Sequence, residues 1–467
     1  MSYAADLLLR GGQVVTPEGT IQADVLIAGE RVIALEDHSS SVSARETIDV
    51  TGLTLLPGMI DTHAHLRQPG HEHKEDIEHG TRAAAAGGYT TVVGMPNVDP
   101  VTSSVERYRE AIDMYDRASI VDFNHFPTGT DLAEIEGLAD AGALGFKIYM
   151  IGDGGRDYLR QPGLGVKDHG QLYDIAESIA RTGLPMLVHP HDQDLMRAIE
   201  SRFHERGERD FRAYARAFAM HNGIVWDTAA AFVIRLAGAT GARLHLLHMK
   251  TRAMIDVVQS ARARGEQFTT EVNPVSLLLA HDWENIERVG PYALSTYIGD
   301  GEAEPLWHAF LDGTIDVIGT DHAPHTRAEK DIGWTDMWKA SGGLPHLQET
   351  LPLFLTEVAA GRLPLERLVE VASGAPARIF GIDDRKGSIS VGKDADIVAV
   401  NLDAEGVIRT ADVLSKCGWT AFDGRPVRGL PRLTLVRGAV VYRDGTVTGK
   451  PGFGHVVQPQ RERSGVH

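Results

Sequence analysis

The feature that most restricts this chain is an alternation. From about residue 55 to residue 320, short apolar β-type runs take turns with amphipathic helical patterns. Strands are expected at 55–62, 90–95, 119–126, 144–150, 185–190, 243–249, 268–273 and 315–320. Helical patterns cover 75–87, 103–116, 131–141, 170–182, 251–264 and 302–312 between them, with further helices up to residue 239 and beyond 345. Near-continuous apolar strands separated by helices imply a parallel sheet covered on both faces. Eight such steps favour a closed α/β architecture, the (β/α)8 TIM barrel, over an open doubly wound sheet. The segment 57–384 is longer than the roughly 250 residues typical of such barrels, so the stretches 192–239 and 274–301 are read as insertions.

Both ends of the chain read differently. Leu7-Leu8-Leu9-Arg10-Gly11-Gly12, Val14-Val15 and Val25-Leu26-Ile27 are β-type runs punctuated by turns at Pro17-Glu18-Gly19 and Gly29-Glu30. The C-terminal part repeats the pattern with Leu433-Thr434-Leu435-Val436, Val440-Val441-Tyr442 and a turn at Asp444-Gly445. A small β-sandwich domain formed by both termini is expected, from residues 1–56 and 385–467, around a catalytic barrel of residues 57–384.

Charge and cysteine content narrow the possible partners. In 467 residues, 46 Lys and Arg face 64 Asp and Glu, a formal net charge of −18. A general polyanion surface is excluded, so nucleic acid is not an expected partner, and any small anion must meet a local positive group. Cys417 stands alone, so no intramolecular disulfide can form. No signal-type start and no apolar run near the roughly 18 residues of a membrane span are seen. A cytoplasmic protein without a membrane partner is expected.

What composition leaves unexplained is an excess of histidine, 21 in all. Several end the apolar runs: Ile60-Asp61-Thr62-His63-Ala64-His65, Met186-Leu187-Val188-His189, Leu244-His245-Leu246-Leu247-His248 and Val317-Ile318-Gly319-Thr320-Asp321-His322. Barrel enzymes carry their chemistry at these C-terminal strand ends. In an extended segment His63 and His65 project to one side and can converge on one ion. His248 is preferred to His245 because it lies at the strand end. Asp321 follows an apolar strand, where a carboxylate is costly unless paired or bound to metal. Lys147, inside Gly145-Phe146-Lys147-Ile148-Tyr149-Met150, poses the same problem. Either it is salt-bridged, or its neutral amine reacts with CO2 to give a carbamate that two divalent ions can share. Four histidines, a lysine and an aspartate at five strand ends point to a metal centre.

In the order His63-x-His65, Lys147, His189, His248, Asp321, these residues resemble the binuclear amidohydrolase superfamily, and within it the cyclic amidohydrolases: dihydroorotase, allantoinase, hydantoinase and dihydropyrimidinase. The resemblance covers nearly the whole chain. It implies two divalent metal ions, usually Zn2+, bridged by carboxylated Lys147. His63, His65 and Asp321 would hold the more buried ion, and His189 and His248 the more exposed one. A metal-bridging hydroxide would attack the ring amide, with Asp321 as catalytic acid and base. Family analogy also implies a homo-oligomer, a dimer or tetramer.

Within that family the chain is most similar to dihydroorotase, which would place it in pyrimidine biosynthesis. His65-Leu66-Arg67 and Met95-Pro96-Asn97 match the motifs whose arginine and asparagine bind the substrate carboxylate there, so Arg67 and Asn97 are the corresponding candidates. Thr320-Asp321-His322-Ala323-Pro324-His325 resembles the segment after strand eight, which makes His325 a third substrate-binding candidate. Arg67 is also the local positive group that the acidic composition calls for. The chain departs from the dihydroorotase pattern over 289–297, where an Asn-Pro-Pro-Leu-Arg type segment is usual. It departs from hydantoinases at Gly152, where those enzymes place a tyrosine as oxyanion donor. The expected reaction is reversible ring opening of dihydroorotate to N-carbamoyl-aspartate. The rivals are another cyclic ureide or imide as substrate, a mononuclear deaminase-type enzyme without need of Lys147, and a non-catalytic hydantoinase-like scaffold, against which the presence of all six ligand positions counts. His71, His73, His79, His204, His221 and His281 read as solvated, His191 and His322 as neighbours of ligands, and Gly152-x-Gly154-Gly155 as an active-site loop.

Overall fold

A computed structural model describes residues 5–37, 43–151, 163–166, 168–279, 283–293, 299 and 301–460. The run Gly152-x-Gly154-Gly155, His281 and residues 294–298 lie outside these. Five strands open the chain: β1 (Ala5–Thr16), β2 (Gly19–Ala28), β3 (Arg31–Glu36), β4 (Ala44–Asp49) and β5 (Thr54–Pro57). Eight strands then alternate with helices. These are β6 (Met59–Ala64), α1 (Ile77–Ala86), β7 (Tyr89–Gly94), α2 (Val105–Ala118), β8 (Asp122–His125), α3 (Ile135–Asp140), β9 (Phe146–Tyr149), α4 (His169–Thr182) and β10 (Pro185–His189). Next come α5 (Gln193–Glu205), α6 (Phe211–Ala219), α7 (Ile224–Thr240), β11 (Arg243–Leu246), α8 (Arg252–Ala263) and β12 (Thr269–Val272). Finally α9 (Pro274–Leu278), α10 (Trp283–Val289) and α11 (Ala303–Leu311) precede β13 (Val317–Ile318).

The helices begin where their sequences supply an acceptor for the first unpaired amides. Asp76, Ser104, Asp168, Asp192, Asp210 and Thr251 each cap the following helix through the side chain. The expected insertion at 192–239 is α5, α6 and α7.

All pairings among β6–β13 are parallel. β6-β7-β8 form a three-stranded sheet and β9-β10-β11-β12-β13 a five-stranded one. The two sheets meet edge to edge at both borders. Parallel bridges join Ala64 to His322 beyond β13, and Thr128 beyond β8 to Lys147 in β9. Backbone bonds accompany them, from His65 N to His322 O at 2.7 Å and from Lys147 N to Pro127 O at 2.9 Å. The strand interiors are fully buried apolar runs such as Val92-Val93 and Met186-Leu187-Val188.

The termini build one sheet rather than the two of the expected sandwich. Strands β14 (Ile397–Val407), β15 (Pro426–Val436), β16 (Ala439–Arg443) and β17 (Thr446–Val447) join β1–β5 in the order β17-β16-β15-β14-β5-β1-β2-β3, with β4 also on β1. The reason lies in β1, whose first half pairs with β4 and second half with β5, across an irregularity between Leu9 and Gly12. Gly11 there has φ +85°, which a side chain would resist. β5, two residues from β6, pairs with β14, so both ends of the chain meet at the entrance to the first barrel-type strand. Leu9, Val14, Val25, Leu55, Ile397 and Leu433 pack in one cluster.

A second attachment was not legible in the sequence. Lys386, 1% exposed, reaches Asp122 at the start of β8, Asp394 at 3.0 Å and Asp396 at 2.7 Å. Arg437 also meets Asp122, and Glu30 at 3.0 Å. The C-terminal segment then runs beside β8: Phe123 N donates to His455 O and Val457 N to Phe123 O, at 3.0 and 2.8 Å. Among the described residues no single helix is long and apolar enough to cross a membrane. The bent pair Phe211–Asn222 and Ile224–Thr240, at 51°, passes by length and composition, and its Tyr214, Phe218, Trp226 and Val233 are packed in the core.

The ion cluster generates a stability prediction. Lys386→Met leaves buried carboxylates without their central cation, a change that costs about 3–5 kcal/mol. Urea unfolding should show that loss, and a change below about 1 kcal/mol would contradict the role given to Lys386.

Candidate metal centre

The C-terminal ends of the parallel strands bring the six expected ligands together. His63 ends the apolar part of β6, His65 follows it, Lys147 lies in β9, His189 ends β10, and His248 and Asp321 lie just beyond β11 and β13. Asp321 Oδ1 is 3.0 Å from His65 Nε2 and 3.4 Å from His63 Nε2. Lys147 Nζ is 3.2 Å from His63 Nε2. The His63 and His248 rings lie 5.0 Å apart, and His189 and His248 4.6 Å. His63 and Lys147 are sealed from solvent, while the Asp321 side chain keeps 23% of its surface open.

Backbone conformation contributes to this aim. Arg67, His248 and Asp321 have φ of +61°, +61° and +53°. The left-handed region costs a non-glycine residue about 1–2 kcal/mol, and such conformations gather at functional sites. Here each turns the chain as it leaves a strand. Asp61 supports the same turn by accepting from Thr320 N at 2.9 Å, Thr320 Oγ1 at 2.6 Å and His63 N at 3.1 Å, which ties β6 to the end of β13.

Behind the ligands stands a set of oxygens that the sequence did not disclose. Glu271 Oε1 lies 2.7 Å from His63 Nδ1, Asn97 Oδ1 2.6 Å from His65 Nδ1, and Asn273 Oδ1 2.9 Å from His248 Nδ1. An oxygen at Nδ1 holds the proton there and leaves the Nε2 lone pair for an ion. Asn97 thus holds His65 through its oxygen while it lines the cavity, a role beside the carboxylate contact expected of it. A carboxylate within Thr269-Thr270-Glu271-Val272, an otherwise uncharged strand, was the available signal for Glu271. Gly319 completes its niche, because a Cβ there would collide with Glu271 Oε2. His245 lies deeper, with Nδ1 2.7 Å from Thr269 Oγ1, in keeping with the preference for His248.

The charge states suit a cation. Burial pushes His65 down to about 3, and holds His189 and His248 well below the ordinary imidazole range. They are neutral, as ligands must be. Burial by itself would raise Asp321 and Glu271, but the adjacent histidines, His63 foremost, hold both low and ionised. Burial brings Lys147 down to about 8. His189 Nε2 is buried without a hydrogen-bond partner. An orphaned imidazole nitrogen, neutral histidines and an ionised aspartate around one point form a donor set that fits divalent metal.

The centre opens into a cavity lined by Arg67, Asn97, Tyr149, His191, Trp226 and Lys250 besides the ligands. Arg67 is held by its Nε on Pro324 O at 3.2 Å and its Nη2 on His325 Nε2 at 3.1 Å. His325 does not reach the cavity as expected. It is fully buried behind Arg67, and its carbonyl accepts from Trp419 Nε1 at 2.7 Å. It positions the arginine. Tyr149 lies on the cavity with its ring 4.7 Å from Lys147 Nζ. His322 accepts from His346 N at 3.1 Å and turns away from the ligand cluster toward Glu75. Met196, Tyr214, Phe218 and Trp226, from the inserted helices α5–α7, add an apolar wall that the sequence did not place.

Comparison with known proteins agrees with this geometry. An L-hydantoinase of Paenarthrobacter aurescens is 33% identical over 460 residues, covering 97% of this chain and 98% of that protein. A dihydroorotase of Lactobacillus leichmannii is 32% identical over 448 residues, covering 94% and 98%. An allantoinase of Rubrobacter xylanophilus is 35% identical over 466 residues, covering 98% and 99%. The solved structure of an L-hydantoinase (dihydropyrimidinase) from Arthrobacter aurescens superposes with a TM-score of 0.91 at 31% identity, covering 97% of this chain and 100% of that one. Residues 54–441 match the pattern of the amidohydrolase family, whose members are generally metal-dependent, and the chain belongs to that family.

Proposed function

We propose that this amidohydrolase opens a six-membered cyclic amide that carries a carboxylate, with dihydroorotate, converted reversibly to N-carbamoyl-aspartate, as the first candidate. Cyclic-amide hydrolysis is the common chemistry of its relatives. The choice of ring rests on Arg67, a buried guanidinium fixed at the cavity wall beside the metal ligands. In a chain of net charge −18, a small anion needs such a fixed partner.

His63, His65 and Asp321 would hold one divalent ion, His189 and His248 the other, and Lys147, carboxylated by CO2, would bridge them. Zinc is the expected metal. Two such cations supply a water acidified to hydroxide near neutral pH and a polarised carbonyl. The protein's own groups do the rest. Asp321, ionised and partly open to the cavity, takes the proton of the attacking water and passes it to the ring nitrogen as the C–N bond breaks. Asn97, Glu271 and Asn273 keep the imidazoles aimed while charge shifts around them. The edge-to-edge sheets are read as a closed barrel of residues 57–384, with residues 1–56 and 385–467 as the second domain. A homo-oligomer is retained from family analogy, and a cytoplasmic location from the lone Cys417.

One observation favours a second reading. Met196, Tyr214, Phe218 and Trp226 on the cavity would suit a ring with an apolar substituent, as in a hydantoinase. The metal-replete protein tested on dihydroorotate, allantoin, hydantoin and dihydrouracil separates the two. Dihydroorotate should be turned over best, and Arg67→Met should lower its kcat/KM about 10- to 100-fold. Unchanged turnover in Arg67→Met would overturn the carboxylate clamp.

The pH dependence of reconstitution tests Lys147. Only the neutral amine takes up CO2, and its fraction falls as pH drops below about 8. Metal-stripped protein given zinc and bicarbonate should recover activity faster at about pH 8.5 than at about pH 6.5. Lys147→Ala should hold fewer ions than the parent. Equal recovery at both pH values, or full metal occupancy in Lys147→Ala, would contradict the bridge.

A further inference from the structure

We propose that Lys250 is a specificity-determining residue that binds the anionic substituent of the substrate, reading it from the β11 side of the cavity while Arg67 reads it from the β6 side. This rests on the reading of the substrate as a carboxylated cyclic amide.

Lys250 follows His248 by two residues at the exit of β11, and only 4% of its surface is exposed. It lines the same cavity as the metal ligands. Its ammonium stands 4.8 Å from the centre of the Trp226 ring, a cation–π contact that fixes a side chain otherwise free to swing. Trp226 itself packs against His191 at 5.3 Å and Phe218 at 5.8 Å. Among the described residues the lysines and arginines on the cavity wall are Arg67, Lys147 and Lys250. Lys147 faces His63 inside the metal centre. Asn97 has its oxygen on His65, and His325 is enclosed behind Arg67. Among the cations on the wall, Arg67 and Lys250 are thus the ones placed to meet an anion on the ring. A lysine in a nearly closed cavity is a strong partner for an anion brought to it.

The test uses substrate pairs that differ in a carboxylate: dihydroorotate with dihydrouracil, and hydantoin-5-acetate with 5-methylhydantoin. The holoenzyme, Lys250→Met and Lys250→Arg are compared on each pair. Lys250→Met should lower the ratio of kcat/KM for the charged over the neutral member about 10- to 100-fold, mainly through KM, and Lys250→Arg should restore part of it. Calorimetric binding of the ring-opened N-carbamoyl-aspartate against N-carbamoyl-β-alanine gives the same ratio without turnover. An unchanged ratio, or an equal loss on both members, would overturn the proposal. Which ring is turned over tests the earlier reading, whereas the ratio within a pair tests Lys250. A fall confined to the hydantoin pair would keep Lys250 and discard dihydroorotate.

Discussion

Lys147, Glu271 and Asp321 are brought to one end of a buried parallel strand array, and the site is built around the need to compensate those charges. A carboxylate or ammonium taken out of water costs several kcal/mol unless partners meet it. Glu271 is met by His63 at 2.7 Å, and Asp321 by His65 at 3.0 Å. Lys147 stands against the His63 Nε2 nitrogen at 3.2 Å. The candidate ligands come from β6, β9, β10, β11 and β13, so the compensation works only when all five strands hold their register. The terminal sheet serves that end through β5, β14 and the Lys386 cluster, which fix β6 and β8 from below.

Much of this was legible in the sequence because strand ends announce themselves. An apolar run closed by His or Asp marks both a buried strand and the position where a barrel enzyme carries its chemistry, and all six ligand candidates come together where that rule puts them. The strand lengths were overestimated. β13 is two residues long where six were expected, since an apolar run continues beyond the residues that share ladder bonds. The oxygens behind the ligands were not legible. Glu271 and Asn273 sit 208 and 25 residues from the histidines they hold, and only the lateral register of strands pairs them. The single sheet at the termini escaped for a like reason, because alternation of apolar residues does not tell which partner each half of β1 takes. Left-handed backbone at Arg67, His248 and Asp321 was not read from the sequence, since Asp and His favour it only weakly and Arg does not.

Substrate choice depends on what surrounds the centre. Relatives at similar identity bear the names of three different cyclic amide hydrolases. The cavity wall has two characters in this chain: cationic at Arg67 and Lys250, apolar along α5–α7. The cationic part is fixed by dedicated contacts, Pro324 and His325 for one and Trp226 for the other. Fixing a long charged side chain costs conformational entropy. That cost is readily understood when the ligand is an anion.

Two metal ions held at the strand ends would bring all of these groups into one function. Elemental analysis of the purified protein, with zinc, manganese, cobalt, nickel and iron measured together, addresses their presence most directly. About two divalent ions per chain are predicted, and a protein that binds none after incubation with metal and bicarbonate would contradict the account.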